Sequence, residues 1–475
     1  MLKLRIKKET LKTYTLVALI ISSVFLTGKI WLDEKLWPEG YNFFAIITDK
    51  FTPQQEPVVS SLTKETIAFP KTLIVTNVEK RSVYAADSEQ FAAMLPEIKL
   101  ALRTALESAE TTPITEQEWA VALKTRSIHV VYPVAYDSAL FLNILGSYQN
   151  KPDSAPVREF IITANDVASN TVNVYIRNQA TSEITKVPVS MSKQVFDSMV
   201  DSYASHSIGS IAYSSELNFD KAATGGLQKV IIDSGVLIQL NKQINNMVEE
   251  INPIYSDGEF NPEVVEGVLR QFGCNADNTR KYTEKDNSVL YVENYASVKF
   301  HTNGLIEYKS VNNSKGIPLG GSDFYGGLLG CVDFVNHMWG EVFPSTPLNI
   351  NISSDVIDAG SNSFMLTMDY FADGAQVNIS LPQTTSHQAM NHAVEITVVD
   401  GKITSYRQMM TYYKSAEQST DGVSTIEALD KLMAENDMQG QVIRDLYPVY
   451  ISDGSPLLKS AWAVRTADGK TVVIN

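Results

Sequence analysis

A glycine-rich segment is the first place where this sequence could do chemistry. Residues 320–330 contain five glycines, and they precede a predicted helix from Leu328 to Trp339. Backbone N–H groups at a helix N-terminus can bind an anion. The segment lacks the Gly-Lys-Ser/Thr ending of a phosphate-binding loop, however. The pattern therefore favours a flexible loop between domains, with anion binding as the alternative.

The residue types that bind metals or act as nucleophiles are sparse. His387 and His392 are five positions apart, so they do not share a helical face as an i, i+4 zinc pair does. Ser207-Ile-Gly-Ser210 is not the Gly-x-Ser-x-Gly turn of a serine hydrolase. Cys274 and Cys331 are too few for a four-cysteine zinc site, and their spacing does not show whether they pair. We predict no catalytic residue, no cofactor and no metal.

The charge balance limits the possible partners. The 475 residues carry a formal net charge of −15, which repels phosphate backbones and excludes a nucleic-acid-binding role. The 54 acidic residues leave room for a two-carboxylate glycosidase, although no spacing in the sequence supports one. An extracytoplasmic cell-wall hydrolase or glycan-binding protein is therefore the alternative function class.

The N-terminus has the pattern of a membrane anchor. Residues 1–13 hold five basic residues and one acidic residue, and an apolar run follows over residues 14–32. As a helix this run is about 28 Å long, close to the bilayer core of about 30 Å. The positive-inside rule places the tail in the cytoplasm and the body outside. A cleaved signal peptide and a buried helix are the two competing interpretations.

Small residues in the predicted anchor suggest a helix–helix contact. Membrane helices associate through close packing at small side chains. Ala18 and Ser22 are an i, i+4 pair with Thr15 adjoining, and Ser23 and Thr27 form a second pair. We predict that these five residues contact another membrane helix.

The body is predicted to be an α+β protein made of several small two-layer domains of antiparallel sheet with packed helices. After a proline-containing linker over residues 33–57, we predict an N-terminal domain over 58–250, a middle domain over 251–318 and a C-terminal domain over 319–475. In the last 220 or so residues, an amphipathic helix followed by strands with a glycine turn occurs about three times. One helix covering one face of a hairpin sheet is a stable two-layer unit.

Several segments resemble the YycH family. They are Ser23–Trp31 in the anchor, Arg280–Asp286, Tyr291–Asn294, Asn303–Tyr308, Asp400–Arg407, Tyr447–Tyr450 and Leu458–Trp462. The last three resemble the C-terminal pattern that YycH-type and YycI-type proteins share. The resemblance covers the anchor and roughly the last 220 residues.

This resemblance implies a non-enzymatic, single-pass cell-membrane protein with an N-terminus in the cytoplasm and an extracytoplasmic body. It implies regulation of a WalK (YycG)-type sensor histidine kinase, and so of cell-wall metabolism in Gram-positive bacteria. The implied contacts are the membrane helix with the kinase helices, and the outer domains with a YycI-like partner protein.

Overall fold

A computed structural model describes residues 70–474 of the chain. The residues left undescribed within this range are 79, 86–87, 148–154, 165–170, 206–210, 218–230, 240–244, 275–278, 294, 322, 357–361, 386, 420–421, 435–437, 439, 453–454 and 468. The contacts divide the chain into one unit over residues 1–57 and a second over residues 58–475. The predicted anchor, residues 14–32, lies outside the described residues. Among the residues described, no helix is both long and apolar enough to cross a bilayer.

In the described part of the chain, seven α-helices accompany four β-sheets. The helices are α1 (Glu89–Glu107), α2 (Glu116–Lys124), α3 (Ser138–Ile144), α4 (Lys193–Tyr203), α5 (Pro262–Gln271), α6 (Phe324–Val342) and α7 (Thr425–Ala434). Most strand pairs are antiparallel and the helices pack on the sheets, so the predicted α+β class is confirmed.

The first sheet has seven antiparallel strands. They are β1 (Thr72–Asn77), β2 (Lys80–Ala85), β3 (Thr112–Ile114), β4 (Ser127–Asp137), β5 (Pro156–Thr163), β6 (Thr171–Asn178) and β7 (Ile184–Ser192). Their spatial order is β2-β1-β4-β5-β6-β7-β3. The edge strand β3 holds Pro113, which suits an edge because proline has no N–H for a further neighbour.

Both faces of this sheet are covered. Leu73 belongs to the main apolar cluster, which includes residues of α1, α3 and α4, whereas its neighbour Ile74 packs with Trp119 of α2. Successive strand residues point to opposite faces, so these two contacts show helices on each side. The sequence predicts two-layer units, and for this sheet that prediction is wrong: the central strands are apolar on both faces, as in sheets buried on both sides.

The second sheet has sixteen strands. Twelve lie on its main path, in the order β14-β15-β16-β17-β23-β22-β20-β21-β25-β26-β11-β24, while β9, β18, β19 and β27 pair beside it. The strands are β9 (Ile231–Ile232), β11 (Asn246–Ile251), β14 (Arg280–Thr283), β15 (Val289–Val292), β16 (Ala296–Phe300), β17 (Leu305–Ser310), β18 (Ile317–Pro318), β19 (Ile350–Ile352), β20 (Phe364–Ala372), β21 (Ala375–Ile379), β22 (Val394–Val399), β23 (Lys402–Met409), β24 (Tyr412–Ser419), β25 (Val442–Ser452), β26 (Leu457–Thr466) and β27 (Thr471–Ile474). Two small sheets pair β8 (Ile211–Tyr213) with β10 (Leu237–Gln239), and β12 (Tyr255–Ser256) with β13 (Glu259–Phe260).

The three predicted helix-and-hairpin groups are all present. Helix α5 begins after Asn261, whose side chain accepts hydrogen bonds from two backbone N–H groups of the first turn, with Pro262 at the first helical position. Strands β14 to β17 follow it, β19 to β23 follow α6, and β25 to β27 follow α7. Gly304, Gly401 and Gly469 take positive φ in the turns, the conformation that the Asn-Gly and Asp-Gly patterns predict.

The hairpins from these groups join into one sheet. Strand β17 of the first group pairs with β23 of the second, and β21 of the second pairs in parallel with β25 of the third. Two strands that precede α5, β9 and β11, also pair with strands of the third group. The predicted domain boundaries at residues 250/251 and 318/319 stay predictions.

Candidate functional site: a charged pocket at the junction of the two sheets

The glycine-rich segment is closely packed. A Cβ atom on Gly321 would lie closer than 3.0 Å to the backbone of Gly326, so side chains are excluded where these two residues meet. Helix α6 is capped by Asp323, whose Oδ1 accepts the Gly326 N–H at 2.7 Å. A carboxylate thus occupies the position that an anion would take, and the segment packs closely instead of forming the predicted flexible loop.

The two histidines singled out in the sequence have different neighbours. His387 packs edge-on against His301, with 5.5 Å between ring centroids, whereas His392 lies beside Asp369. Across the described residues no group of three or more His, Cys, Asp or Glu side chains could hold a metal ion. Cys274 and Cys331 are buried free thiols whose pKa is raised by burial.

Ser353, His392 and Asp369 resemble a catalytic triad but have the wrong geometry. The hydroxyl of Ser353 lies 3.2 Å from Nδ1 of His392, and Asp369 Oδ1 lies 3.1 Å from the same nitrogen. A triad needs the serine on one ring nitrogen and the carboxylate on the other, so that the ring can pass a proton between them. This set therefore cannot activate Ser353 through a relay, and His392 instead shares Nδ1 between two acceptors.

A second set does use both ring nitrogens, but it is inside the protein. The Tyr213 hydroxyl lies 3.2 Å from Nδ1 of His129, and Glu159 Oε2 lies 3.1 Å from Nε2. Burial raises the pKa of Tyr213, which is the opposite of what activates a nucleophile. Arg177 lies 3.5 Å from Glu159 and stacks over Trp119, so the set belongs to a buried network that fixes α2 to the sheet.

Charged side chains converge in a pocket between the two sheets, which we call the junction pocket. Lys71 and Pro133 line it from the seven-stranded sheet. The other side belongs to the sixteen-stranded sheet: Asn351, Ile352, Ser353, Asp369, Phe371 and Gln376 from β19 to β21, and Asp445, Tyr447 and Arg465 from β25 and β26. The pocket has an empty volume of about 330 Å³, part of it open to solvent. Binding pockets commonly form at such junctions.

Asp445 holds the pocket together electrostatically. Its Oδ2 accepts from Arg158 Nη2 at 2.6 Å and from Lys71 Nζ at 3.4 Å. One carboxylate of the second sheet thus contacts Arg158 of the first sheet and Lys71, which immediately precedes β1. Burial raises the pKa of Asp445, but the charges of Lys71, Arg158 and Arg465 outweigh burial and hold it far below its usual range. Asp445 is thus ionised at any physiological pH, so its ion pairs with Arg158 and Lys71 persist.

Backbone contacts reinforce this junction. The Asp137 N–H donates to the Val356 carbonyl at 2.9 Å, and the Val356 N–H donates to the Ala135 carbonyl at 2.8 Å. The Ala135 N–H donates to Asp355 Oδ1 at 2.9 Å. Strand β4 is therefore bonded to the segment after β19, and the two sheets meet in a fixed register beside the pocket.

The sequence could have revealed only part of this site. The apolar patterns of residues 445–451 and 461–465 predict two strands, and Asp445 and Arg465 are opposite each other in the observed register of β25 and β26. Lys71 and Arg158 are far away in the chain, and no spacing rule connects them to Asp445. The predicted contact residues Thr15, Ala18, Ser22, Ser23 and Thr27 lie outside the described residues and stay predictions.

Comparison with known proteins adds one finding. No family model and no curated protein matches the chain. Among solved structures, the chain is similar to the crystal structure of YycH from Bacillus subtilis, with a TM-score of 0.53 and 10% sequence identity. The likeness covers 88% of this chain and 98% of that chain. The fold is YycH-like.

The YycH-like fold confirms the resemblance that the sequence predicts. The segments that carry this resemblance leave residues 33–255 without a match, whereas the structural likeness covers most of the chain. At 10% identity the likeness concerns the fold.

Proposed function

We propose that this protein regulates a sensor histidine kinase of the WalK (YycG) type from the outer side of the cell membrane. The observation that carries the proposal is the YycH-like fold, which matches 98% of the other chain and so includes nearly all of its elements. The basic tail and apolar run of residues 1–32 add the expected single anchor. Cell-wall metabolism is the process that such a kinase controls.

In this proposal the protein acts by binding and not by catalysis. Its membrane helix contacts the kinase helices, and its outer body contacts a YycI-like partner. Neither triad-like set suits acyl transfer, since one places both partners on a single histidine nitrogen and the other is buried.

The test is purification of the full-length protein from membranes with identification of the proteins that accompany it. We expect a WalK-type kinase and a YycI-like protein. Ser22→Ile should weaken recovery of the kinase, because a bulky side chain separates two closely packed helices. Ile20→Leu is the matched control and should leave recovery unchanged. Recovery of neither protein would refute the proposal.

The proposed topology has its own measurement. A reporter that is active only outside the membrane, fused after about residue 60, should give signal. N-terminal sequencing of the mature protein should find the N-terminus intact; a start between residues 25 and 45 would remove the anchor. If an unrelated membrane helix in place of residues 14–32 leaves kinase output unchanged, the outer body alone carries the function.

A further inference from the structure

Arg465 stands out among the charged residues of the junction pocket. Lys71 is paired with Asp445, and Asp369 accepts from Gln376 Nε2 at 2.7 Å and from the His392 ring. The guanidinium of Arg465 has no hydrogen bond or ion pair with any described residue, although the residue is half-buried and lines the pocket. Arginine carries five N–H donors in a planar fork, so an unused binding group faces the pocket.

We propose that the junction pocket binds a small organic anion through a single carboxylate group, with the guanidinium of Arg465 as its anchor. A carboxylate matches the two parallel N–H groups of an arginine and forms charge-assisted hydrogen bonds with both. Such a ligand satisfies donors that the protein itself leaves unsatisfied. This binding is separate from any contact with a kinase.

The charge of the pocket selects a singly charged group. Among the lining residues, Lys71 and Arg465 supply two positive charges and Asp369 and Asp445 supply two negative charges, and Lys71 is paired with Asp445. A carboxylate neutralises the remaining charge of Arg465. A phosphate carries about −1.5 to −2 charges at pH 7 and therefore meets repulsion from the two aspartates.

The remaining lining suits the organic part of the ligand. Pro133, Ile352 and Phe371 supply apolar surface beside the charged groups. Asn351 adds an amide that can donate a hydrogen bond to the second carboxylate oxygen. The pocket opens to solvent, so it can take up the carboxylate group while the organic part of the ligand extends outward along this surface.

Ligand-observed NMR on the purified full-length chain at pH 7.5 and constant ionic strength tests the proposal. The probes are propionate, inorganic phosphate, and N-acetyl-trialanine with either a free or an amidated C-terminus. Binding of propionate or of the free peptide supports the proposal, and comparison of the two shows whether a free acid or a peptide terminus is preferred. Stronger or equal binding of phosphate, or equal binding of the amidated peptide, overturns it.

Variants assign the binding to Arg465. Arg465→Met, which keeps an unbranched stem but removes the guanidinium fork, should weaken propionate binding at least tenfold. Arg465→Lys, which keeps the charge, should give an intermediate loss. Arg270→Met removes the same charge from an exposed position on α5 and should bind like the original protein. Unchanged binding by a folded Arg465→Met protein, confirmed by circular dichroism, overturns the assignment.

Discussion

Replacing Asp445 by asparagine removes the negative charge at the centre of the junction pocket while keeping the shape of the side chain. Arg158, which is 9% exposed, then loses the carboxylate 2.6 Å from its Nη2, and Lys71 loses its ion-pair partner. Removing one partner of a buried ion pair costs about 3–5 kcal/mol because the other charge stays buried. The Asp445 side chain is 21% exposed and asparagine can still accept a hydrogen bond, so we expect a loss of about 2–4 kcal/mol in the free energy of unfolding.

Urea unfolding followed by near-UV circular dichroism measures this loss. The pKa of Asp445 is lowered in the folded state, so its contribution to stability is fully present above its unfolded value of about 3.9 and is lost as pH falls through the folded value. The difference between the two proteins should thus be constant from about pH 8 to 5 and should narrow below about pH 4.

Asp430→Asn is the matched control, because Asp430 is exposed on α7. Its free energy of unfolding should stay within about 0.5 kcal/mol of the original value. A similarly small effect for Asp445→Asn at pH 7 would show that the ion pairs of Asp445 with Arg158 and Lys71 do not stabilise the junction. A double variant, Arg158→Met with Asp445→Leu, should recover part of the lost stability, because it leaves neither charge unpaired.

Three further predictions concern single positions. Gly321→Ala should lower the free energy of unfolding by about 1–3 kcal/mol, because its Cβ overlaps backbone, whereas Gly320→Ala, with open space around it, should be neutral in the same urea titration. Gly401→Val should lower it by about 1 kcal/mol or more, since φ is +71° there, and an unchanged urea midpoint would contradict the turn assignment. Burial lowers the pKa of His392, but the hydrogen bond and charge of Asp369 outweigh it and raise the pKa overall. The stabilisation from the His392–Asp369 pair is therefore fully present below about pH 6.5, the unfolded pKa of histidine, and is lost as pH rises through the folded pKa. In urea titrations, the difference in free energy of unfolding between His392→Gln and the original protein should become smaller as pH rises over that range.

Local signals in the sequence predict the helices well. The capping box from Thr115 to Glu118 opens α2, and Asn261-Pro262 opens α5. Helix α4, Lys193–Tyr203, begins after Ser192, whose side chain accepts from the Val195 N–H. The start of each of these helices depends on contacts between residues that are only a few positions apart, so a local sequence pattern is enough to predict it.

Long-range pairing could not be predicted in the same way. The amphipathic hairpins near residues 305 and 405 have equivalent patterns, and nothing in either pattern shows that Tyr308 lies opposite Tyr406. Likewise α2 covers the second face of the seven-stranded sheet, but its nine residues do not indicate which surface they bury. The junction pocket joins residues from four distant parts of the chain, so its charges look like ordinary surface charges in the sequence.

The position of β26 has a consequence for the order of folding. This strand is interior to the sixteen-stranded sheet, between β25 and β11, yet among the described elements only β27 follows it in the chain. Strand β11 is synthesised some two hundred residues earlier, and its partners in the described part of the chain are β24 and β26, so it pairs only after both have been made. Pairing over such sequence separations is slow, because a long loop must close before any contact stabilises it. The sheet is therefore completed only once β26 has been synthesised, and deletion of residues 456–475 should leave β11 and β25 with unpaired edges, prone to aggregate.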